Sequence, residues 1–181
     1  MQTTTSNSLA KEIQKGNREA FSKYFRENYN RYVAFALRYL DAKSDAADIV
    51  QEVFIKLWEK KKTIDIDKSL QAYMYASVRN ACLNFIRDHQ SRYTELTEEL
   101  VDEPTTTSSN EHLSKTVTSL VEELPERQRE AFQLSRFEGL QHEEIAEIMK
   151  VSPRTVNNHI VAALKNLRDL YERQKNQSVF I

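Results

Sequence analysis

The sequence contains very few of the residues that interrupt helices or cross-link a chain. Its 181 residues include only 2 glycines and 3 prolines, which leaves little room for β-turns and favours an all-helical fold. The single cysteine, Cys82, cannot form an internal disulfide, and no Cys/His cluster has the spacing of metal ligands. The sequence therefore predicts an all-α protein that holds no metal and no cofactor.

Long apolar segments are missing as well. The apolar run from Val33 to Leu37 is far shorter than the ~20 residues of a membrane span. The first residues, MQTTTSNSLAKE, lack the basic end and the apolar stretch of a signal peptide. We therefore expect a cytoplasmic protein with no direct membrane insertion.

Motifs that would indicate an enzyme are also absent. The stretch from His142 to Ala146 begins like the HExxH motif of zinc proteases, but Ala146 stands where the second histidine would be needed. The sequence contains no phosphate-binding loop and no nucleophile-elbow motif. We therefore expect no enzymatic activity and assign no catalytic residues.

Charge is unevenly distributed along the chain although the net charge is only −1. Residues 1–93 have 16 basic and 11 acidic side chains, residues 94–124 have 1 and 8, and residues 125–181 have 9 and 8. This asymmetry indicates two units joined by an acidic connector. Because nonspecific DNA affinity comes from counterion release by Lys and Arg, the chain alone should bind DNA weakly.

Helical signals divide the chain into two small domains and a linker. We assign residues 5–93 to the first domain, residues 94–112 to an acidic flexible linker and residues 113–176 to the second domain. In the first, an early helix should begin at Ser8 and end at Gly16, and Asn17 should cap the next. That next helix should place Phe21, Tyr24 and Phe25 on one face, and another helix should carry Val33, Ala36, Leu37 and Leu40. A further helix should run from Ser44 to about Lys60, and one more from Ser69 to about His89.

In the second domain, a core-facing stripe of Leu113, Val117, Leu120, Val121 and Leu124 precedes Pro125, which suits a helical first turn. The helix from Pro125 should end at Gly139. Two short helices follow, the first from Glu143 to about Lys150. Ser152 should cap the second, with Pro153 as its first residue.

The helix that begins at Pro153 should be amphipathic. Val156, Ile160, Ala163, Leu164 and Leu167 form its apolar stripe at 100° per residue. This arrangement predicts a helix-turn-helix whose second helix enters the major groove, where Arg suits guanine, Asn suits adenine and Lys neutralises phosphate. The alternative is a surface helix that tolerates asparagine. Asparagine is unfavourable within a helix, however, so two adjacent asparagines indicate a functional role such as base recognition. The residues predicted to contact DNA are Arg154, Thr155, Asn157, Asn158, His159, Val161, Ala162 and Lys165.

Residues 124–168 open with Leu-Pro-x-x-x-Arg and include Glu138-Gly139, Glu144-Ile145-Ala146 and Thr155-Val156. With these motifs the segment resembles the fourth conserved region of bacterial sigma-70 family transcription initiation factors. Because regulators of the LuxR type share nearly the same helix-turn-helix, the first domain decides between the two families. There, residues 48–58, DIVQEVFIKLW, resemble the second sigma region, which binds the polymerase clamp helices.

The chain lacks room for the first and third sigma regions, so it resembles the short extracytoplasmic-function group. The Thr-Val-Asn-Asn-His-Ile form of residues 155–160 is similar to such factors in Bacteroidetes. By this resemblance the chain binds core RNA polymerase, at the β′ clamp helices and the β flap, and contacts double-stranded and melted promoter DNA. A membrane-bound anti-sigma partner is also implied.

The helix around residue 50 has one outer face that suits a protein interface. On it an isoleucine lies among acidic residues with aromatic residues at the boundary, a pattern typical of an interface with an aromatic anchor. A solvated acidic face with Trp58 folded into the core is the alternative. With the resemblance, we assign polymerase contact to Asp48, Gln51, Glu52, Phe54, Ile55 and Trp58.

The helix from Ser69 is implied by the resemblance to recognise the downstream (−10) promoter element and to hold an extruded base. Polar groups and stacking suit such a base, so Asn80 and either Tyr73 or Tyr75 are apt, although both tyrosines could equally be core residues. Cys82 is expected in the core. The residues assigned to the −10 element are Arg79, Asn80, Asn84 and Arg87.

The sequence favours an alternative sigma factor over two other classes of helical protein, a DNA-binding regulator and a polymerase-binding adaptor. A LuxR-like regulator that binds DNA alone would need a receiver or ligand-sensing domain with βα pattern, which residues 1–93 do not show. A helical adaptor that binds polymerase without DNA would have no use for the Asn/Arg face of the second domain.

Overall fold

The computed structural model describes residues 3–65, 69–96 and 119–178. Within these ranges the chain forms helices and no strand, which confirms the all-α prediction. A short 3₁₀ turn at Lys61–Thr63 follows α3, and residues 119–122 are also helical. The α-helices are α1 (Thr3–Gln14), α2 (Arg18–Ala36), α3 (Lys43–Glu59), α4 (Leu70–Leu96), α5 (Glu126–Arg136), α6 (His142–Met149) and α7 (Pro153–Ser178).

The chain divides into two compact helical units, with the division between residues 100 and 101. This confirms the prediction of two small helical domains. The expected linker, residues 94–112, overlaps the last turn of α4 as far as Leu96, and the rest of it lies outside the described residues. Within the described ranges, no helix combines the length and apolar character that crossing a membrane requires.

Aromatic side chains fill the core of the N-terminal unit, where α2, α3 and α4 pack together. Tyr75 of α4 lies 5.0 Å from Tyr32 and 4.8 Å from Phe35, both edge-to-face, a geometry that aromatic rings prefer. All three rings are fully buried. The core therefore holds α4 against α2 and fixes which side of α4 faces outward.

Capping residues determine several of the helix boundaries in this unit. Gly16 has a positive φ of 88° after α1, and Asn17 Oδ1 accepts hydrogen bonds from the backbone N–H of Glu19 and Ala20 at 3.0 and 3.2 Å. Ser69 Oγ accepts one from Ala72 N at 3.2 Å at the start of α4. These sequence-based assignments are confirmed.

Other predicted boundaries in this unit are wrong. Ser8 lies inside α1, which begins at Thr3, and residues 18–36 form one helix rather than two. Ser44 does not cap α3, because Ala42 occupies the N-cap position with no side-chain hydrogen bond. Leu37 is exposed since it stands at the C-cap of α2, where the helical stripe has ended.

The C-terminal unit packs α5, α6 and α7 around a small core formed by Val121, Leu124, Phe132 and Ala163. Leu120, also predicted in the stripe, is buried, whereas Leu113 and Val117 lie outside the described residues. A hydrogen bond of 2.8 Å from Asn166 Nδ2 to Gln128 Oε1 joins α7 to α5. Leu164 was expected in the apolar stripe, but 43% of its surface is exposed, because at about 100° per residue it lies at the edge of the stripe formed by Val156, Ile160 and Ala163.

Candidate nucleic-acid and protein interfaces

The turn between α6 and α7 is tightly defined by backbone and side-chain hydrogen bonds. The backbone N–H of Gln141 donates to Glu144 Oε2 at 2.7 Å and closes the first turn of α6. After α6, Lys150 adopts a left-handed conformation with φ of 56°, and Val151 N donates to Ala146 O at 3.1 Å. These contacts set the angle at which α7 leaves the turn.

The start of α7 is capped as the sequence predicts. Ser152 Oγ accepts a hydrogen bond from Thr155 N at 3.1 Å and lies 2.8 Å from Thr155 Oγ1. Pro153 is the first helical residue, where its missing N–H removes no hydrogen bond. The cap holds the first turn of α7, from which Arg154 extends.

The rotation of α7 is fixed by its buried stripe. Val156, Ile160 and Ala163 are buried, and the opposite side of α7 therefore faces solvent. The structure places all the predicted DNA-contacting positions on this outer face or at its edges. Two helices joined by a tight turn, the second with such an exposed face, form a helix-turn-helix. Exposed are Arg154, Asn157, Asn158, Val161 and Lys165; partly buried are Thr155, His159 and Ala162.

On α3, the predicted protein-binding face is displayed with one exception. Asp48, Gln51, Glu52 and Ile55 are exposed, and Ile55 leaves 57% of its surface accessible. Glu52 Oε1 pairs with Lys56 Nζ at 2.6 Å on the same helix. More than half of the Ile55 surface therefore lies outside the core of the unit, among exposed polar side chains.

Phe54 is the exception, and its assignment as a direct contact is corrected. Only 2% of its surface is exposed, because α2 packs against the edge of α3 that carries it. Its ring lies 4.8 Å from that of Phe25, and 6.0 and 5.9 Å from those of Tyr24 and Tyr32. Phe54 is therefore a core residue beneath the exposed face.

Trp58 lies at the boundary between core and surface. Its ring is 5.0 Å from that of Phe21, and the Lys61 amine stands 4.2 Å from the Trp58 ring centre while donating to Trp58 O at 2.9 Å. The tryptophan is partly buried. It is therefore neither folded entirely into the core nor fully exposed to solvent. The contacts on both sides hold the indole in one orientation.

On α4, the residues predicted to contact the −10 element differ in their exposure to solvent. Asn80 is partly buried, and Asn84 and Arg87 are exposed. Arg79 is only 6% exposed, so its assignment to a DNA-contacting surface is corrected: its position on α4 turns it toward the rest of the unit. Tyr75 is buried, whereas Tyr73 is 38% exposed on the side of α4 that carries Asn80.

Cys82 lies in the core, as the sequence predicts. It is fully buried, and burial raises the pKa of its thiol to about 12, which disfavours the reactive thiolate. The residue is therefore a small packing element of α4.

Sequence reasoning missed the contribution of α2 to the surface beside α3. Phe21, Phe25 and Tyr29 are partly buried. Phe21 and Phe25 contact Phe54 of α3, and Tyr29 contacts Phe25. Their i, i+4, i+8 spacing is the signal that could have located them. The same spacing occurs on helix faces in a core and at a surface, so it does not by itself place these rings at a surface.

Two models of the sigma-70 family match the chain, region 2 over residues 24–92 and region 4 over residues 114–167. The chain is 27% identical over 173 residues to the ECF RNA polymerase sigma-E factor of Haemophilus influenzae, covering 88% of this chain and 91% of that protein. It is 24% identical over 169 residues to the RNA polymerase sigma-H factor of Pseudomonas aeruginosa, covering 86% and 88%.

Solved structures show the same fold. CnrH in complex with the cytosolic domain of CnrY matches with a TM-score of 0.64 at 22% identity, over 93% of this chain and 97% of that one. The sigma factor RpoE in complex with the anti-sigma factor NepR from Bartonella quintana matches with a TM-score of 0.60 at 22% identity, over 84% and 96%. The chain belongs to the sigma-70 family of transcription initiation factors, in its extracytoplasmic-function group.

Proposed function

We propose that the chain acts as an alternative sigma factor that joins core RNA polymerase, directs it to promoters and assists strand opening. The observation that carries the proposal is the pair of sigma regions, at residues 24–92 and 114–167, in that order and in separate compact units. A LuxR-type regulator would share only the second. The N-terminal unit presents exposed residues on α3 and α4, and the C-terminal unit presents a polar face on α7.

The α3 face is proposed to bind a helical segment of the polymerase core, the β′ clamp helices. The contacts would be made by Asp48, Gln51, Glu52, Ile55 and Trp58. Exposed carboxylates attract a basic partner surface and set the association rate, whereas Ile55 and Trp58 supply the apolar anchors. The C-terminal unit would bind the β flap in the same complex.

The outward side of α4 is proposed to contact the −10 element once its strands separate. An amide such as that of Asn80 can both donate to and accept from the edge of an unpaired base. Asn84 and Arg87 continue the same side of α4 toward its C-terminus. The position of Arg79 suits support of the helix rather than contact with DNA.

The outward side of α7 is proposed to recognise the −35 element in the major groove. Arg154 and Asn158 can form paired hydrogen bonds to guanine and adenine edges, and Lys165 can neutralise a phosphate. Val161 and Ala162 are small enough for close approach to thymine methyl groups. Thr155, Asn157 and His159 complete the contact at its edges.

Regulation by a protein partner is part of the proposal. Two proteins of the same fold were solved in complex with the cytosolic domain of CnrY and with the anti-sigma factor NepR. We propose that an anti-sigma factor, membrane-bound by family resemblance, binds this chain in the cytoplasm. The chain itself performs no enzymatic reaction.

One experiment separates the sigma factor from a polymerase-binding adaptor and from a free DNA-binding regulator. The chain is co-purified with core polymerase, and the complex is used for run-off transcription from a genomic promoter library. We expect stable association and new transcripts that core alone does not start. Association without new transcripts would indicate an adaptor, and DNA binding without association would indicate a regulator.

A further inference from the structure

A hydrogen bond between two amide side chains joins α7 to α5. Asn166 Nδ2 donates to Gln128 Oε1 at 2.8 Å, between residues that are 38 apart in the sequence. Both side chains are partly buried. Asparagine is unfavourable within a helix because its side chain competes for backbone hydrogen bonds, so α7 gains nothing locally from Asn166. The use of this asparagine therefore lies in its contact with α5.

Gln128 stands on a firmly held part of α5. It lies in the first turn of the helix, where the backbone N–H groups of Gln128 and Arg129 both donate to Pro125 O at 2.9 Å. Arg129 Nη1 also donates to Glu122 O at 2.8 Å, which ties this turn to the helical segment before it. The acceptor that Gln128 offers to Asn166 is therefore fixed to the body of the C-terminal unit.

Asn166 lies on an edge of α7 that borders the proposed DNA-contacting face. With Thr155, His159 and Ala162 it forms a row at i, i+4, i+7 and i+11 spacing, and all four residues are partly buried. It is ~20 Å from the start of the helix at 1.5 Å per residue. Polar contacts therefore hold α7 on both sides of the segment proposed to contact DNA, the Ser152 cap before it and the amide pair after it.

The apolar core sets which side of α7 faces outward, but it restrains small rotations less strictly. Ala163 packs in a cluster with Phe132, Val121 and Leu124, and such contacts are non-directional, whereas a hydrogen bond weakens steeply as its angle changes. A rotation of ~10° moves a side-chain tip that is ~6 Å from the helix axis by ~1 Å. A binding group must be held within about 0.5 Å, so the amide pair restrains a rotation that would misalign the outward side chains.

We propose that Gln128 and Asn166 are positioning residues for recognition of the −35 element. Their hydrogen bond holds α7 at the rotation that aligns Arg154 and Asn158 with their bases, and neither amide needs to contact DNA itself. This inference rests on the proposed function, since it requires that α7 recognises the −35 element in holoenzyme. It adds a determinant of specificity that lies outside the DNA-contacting residues.

The test removes the hydrogen bond with side chains of similar size. Asn166→Leu and Gln128→Met keep the bulk without lowering helix propensity, and the double variant removes both amides. Gln133→Met is the matched control, because it makes the same chemical change five residues further along α5, also at a partly buried position. Preference over a library of upstream elements is measured in holoenzyme for all four variants, together with the melting temperature of each chain.

We expect either single variant to lower discrimination about fivefold or more at two base positions, those contacted by Arg154 and Asn158. This is the lower end of what one paired base contact supplies. The double variant should match the single variants, because all three lack the same hydrogen bond. Gln133→Met should keep the normal base profile, and all melting temperatures should stay near that of the unmodified chain.

Several outcomes would overturn the proposal. An equal loss on every element, with a lowered melting temperature, would show that the pair only stabilises the unit. Unchanged base profiles in both single variants would show that the pair does not position α7, and a change in Asn166→Leu alone would indicate direct contact with DNA. Additive losses in the double variant would mean that the two amides act separately. If the unmodified holoenzyme shows no preference among upstream elements, the proposed function of α7 fails instead.

Discussion

The hydroxyl oxygens of Tyr24 and Tyr32 lie 2.6 Å apart inside the N-terminal unit and form a hydrogen bond between two turns of α2. Both side chains are buried, and burial raises the pKa of each phenol. One hydroxyl therefore donates to the other in the buried interior of the unit. The pair lies directly beneath Phe54 and thus beneath the α3 face.

This pair should show strong coupling in unfolding experiments. Tyr32→Phe leaves the Tyr24 hydroxyl buried without its partner, so it should lower the free energy of unfolding by ~1–3 kcal/mol. Tyr24→Phe should do the same, but the double variant should cost less than the sum because no orphaned hydroxyl remains. Urea unfolding of the three variants measures the coupling, and strict additivity would show that the hydroxyls do not depend on each other.

The same pair determines how stability changes at alkaline pH. Because both phenols have a raised pKa in the folded unit, the stability that they contribute is fully present below the ordinary tyrosine value of ~10 and is lost as pH rises above it. Thermal melting between pH 8 and pH 11 should show this decline. The double phenylalanine variant should decline less steeply, and an identical slope would contradict the assignment.

Charge reversal on α3 tests the proposed polymerase interface. Asp48→Lys/Glu52→Lys should abolish core binding, while helicity and melting temperature stay nearly unchanged because both side chains are exposed. Glu27→Lys/Asp41→Lys makes the same change in net charge at exposed positions outside α3 and should bind core normally. Retention of affinity in the α3 variant would reject the interface, and equal loss in both variants would indicate a nonspecific charge effect.

Asn80→Ala tests the proposed role of α4 in strand opening. If Asn80 holds an extruded base, the variant should form closed complexes but convert slowly to open complexes on duplex promoters. A template with a pre-melted bubble should restore much of the activity, since the cost of unstacking has been removed. Open-complex formation is followed by permanganate reactivity on both templates. Equal loss on the two would point to a role in folding or in polymerase binding.

Two substitutions on α7 separate base recognition from phosphate contact. Asn158→Ala should flatten the preference at one base position, where a paired hydrogen bond contributes ~1–3 kcal/mol of discrimination. Lys165→Ala should weaken all upstream elements about equally and lower the salt dependence by about one contact. Both are measured in holoenzyme on a library of upstream elements. Identical base profiles for the two variants would mean that the proposed orientation of α7 on DNA is wrong.

Much of this architecture could be predicted because its signals are local. Ser152, Pro153 and the apolar stripe of α7 specify a capped amphipathic helix through contacts within a few residues. The same holds for Asn17 and Ser69 as caps. The scarcity of glycine and proline leaves little room for β-turns and so favours an all-helical fold by itself.

The tertiary structure alone decided which side chains near a helix boundary face outward. Phe54 and Trp58 lie one turn apart on the same edge of α3, yet α2 buries the first and leaves the second partly open. Arg79 is buried and Tyr73 exposed on one helix. Periodicity gives the angle of a side chain around its own helix, whereas exposure depends on where neighbouring helices lie. Those positions result from packing between residues distant in sequence, such as Phe25 against Phe54 and Tyr32 against Tyr75.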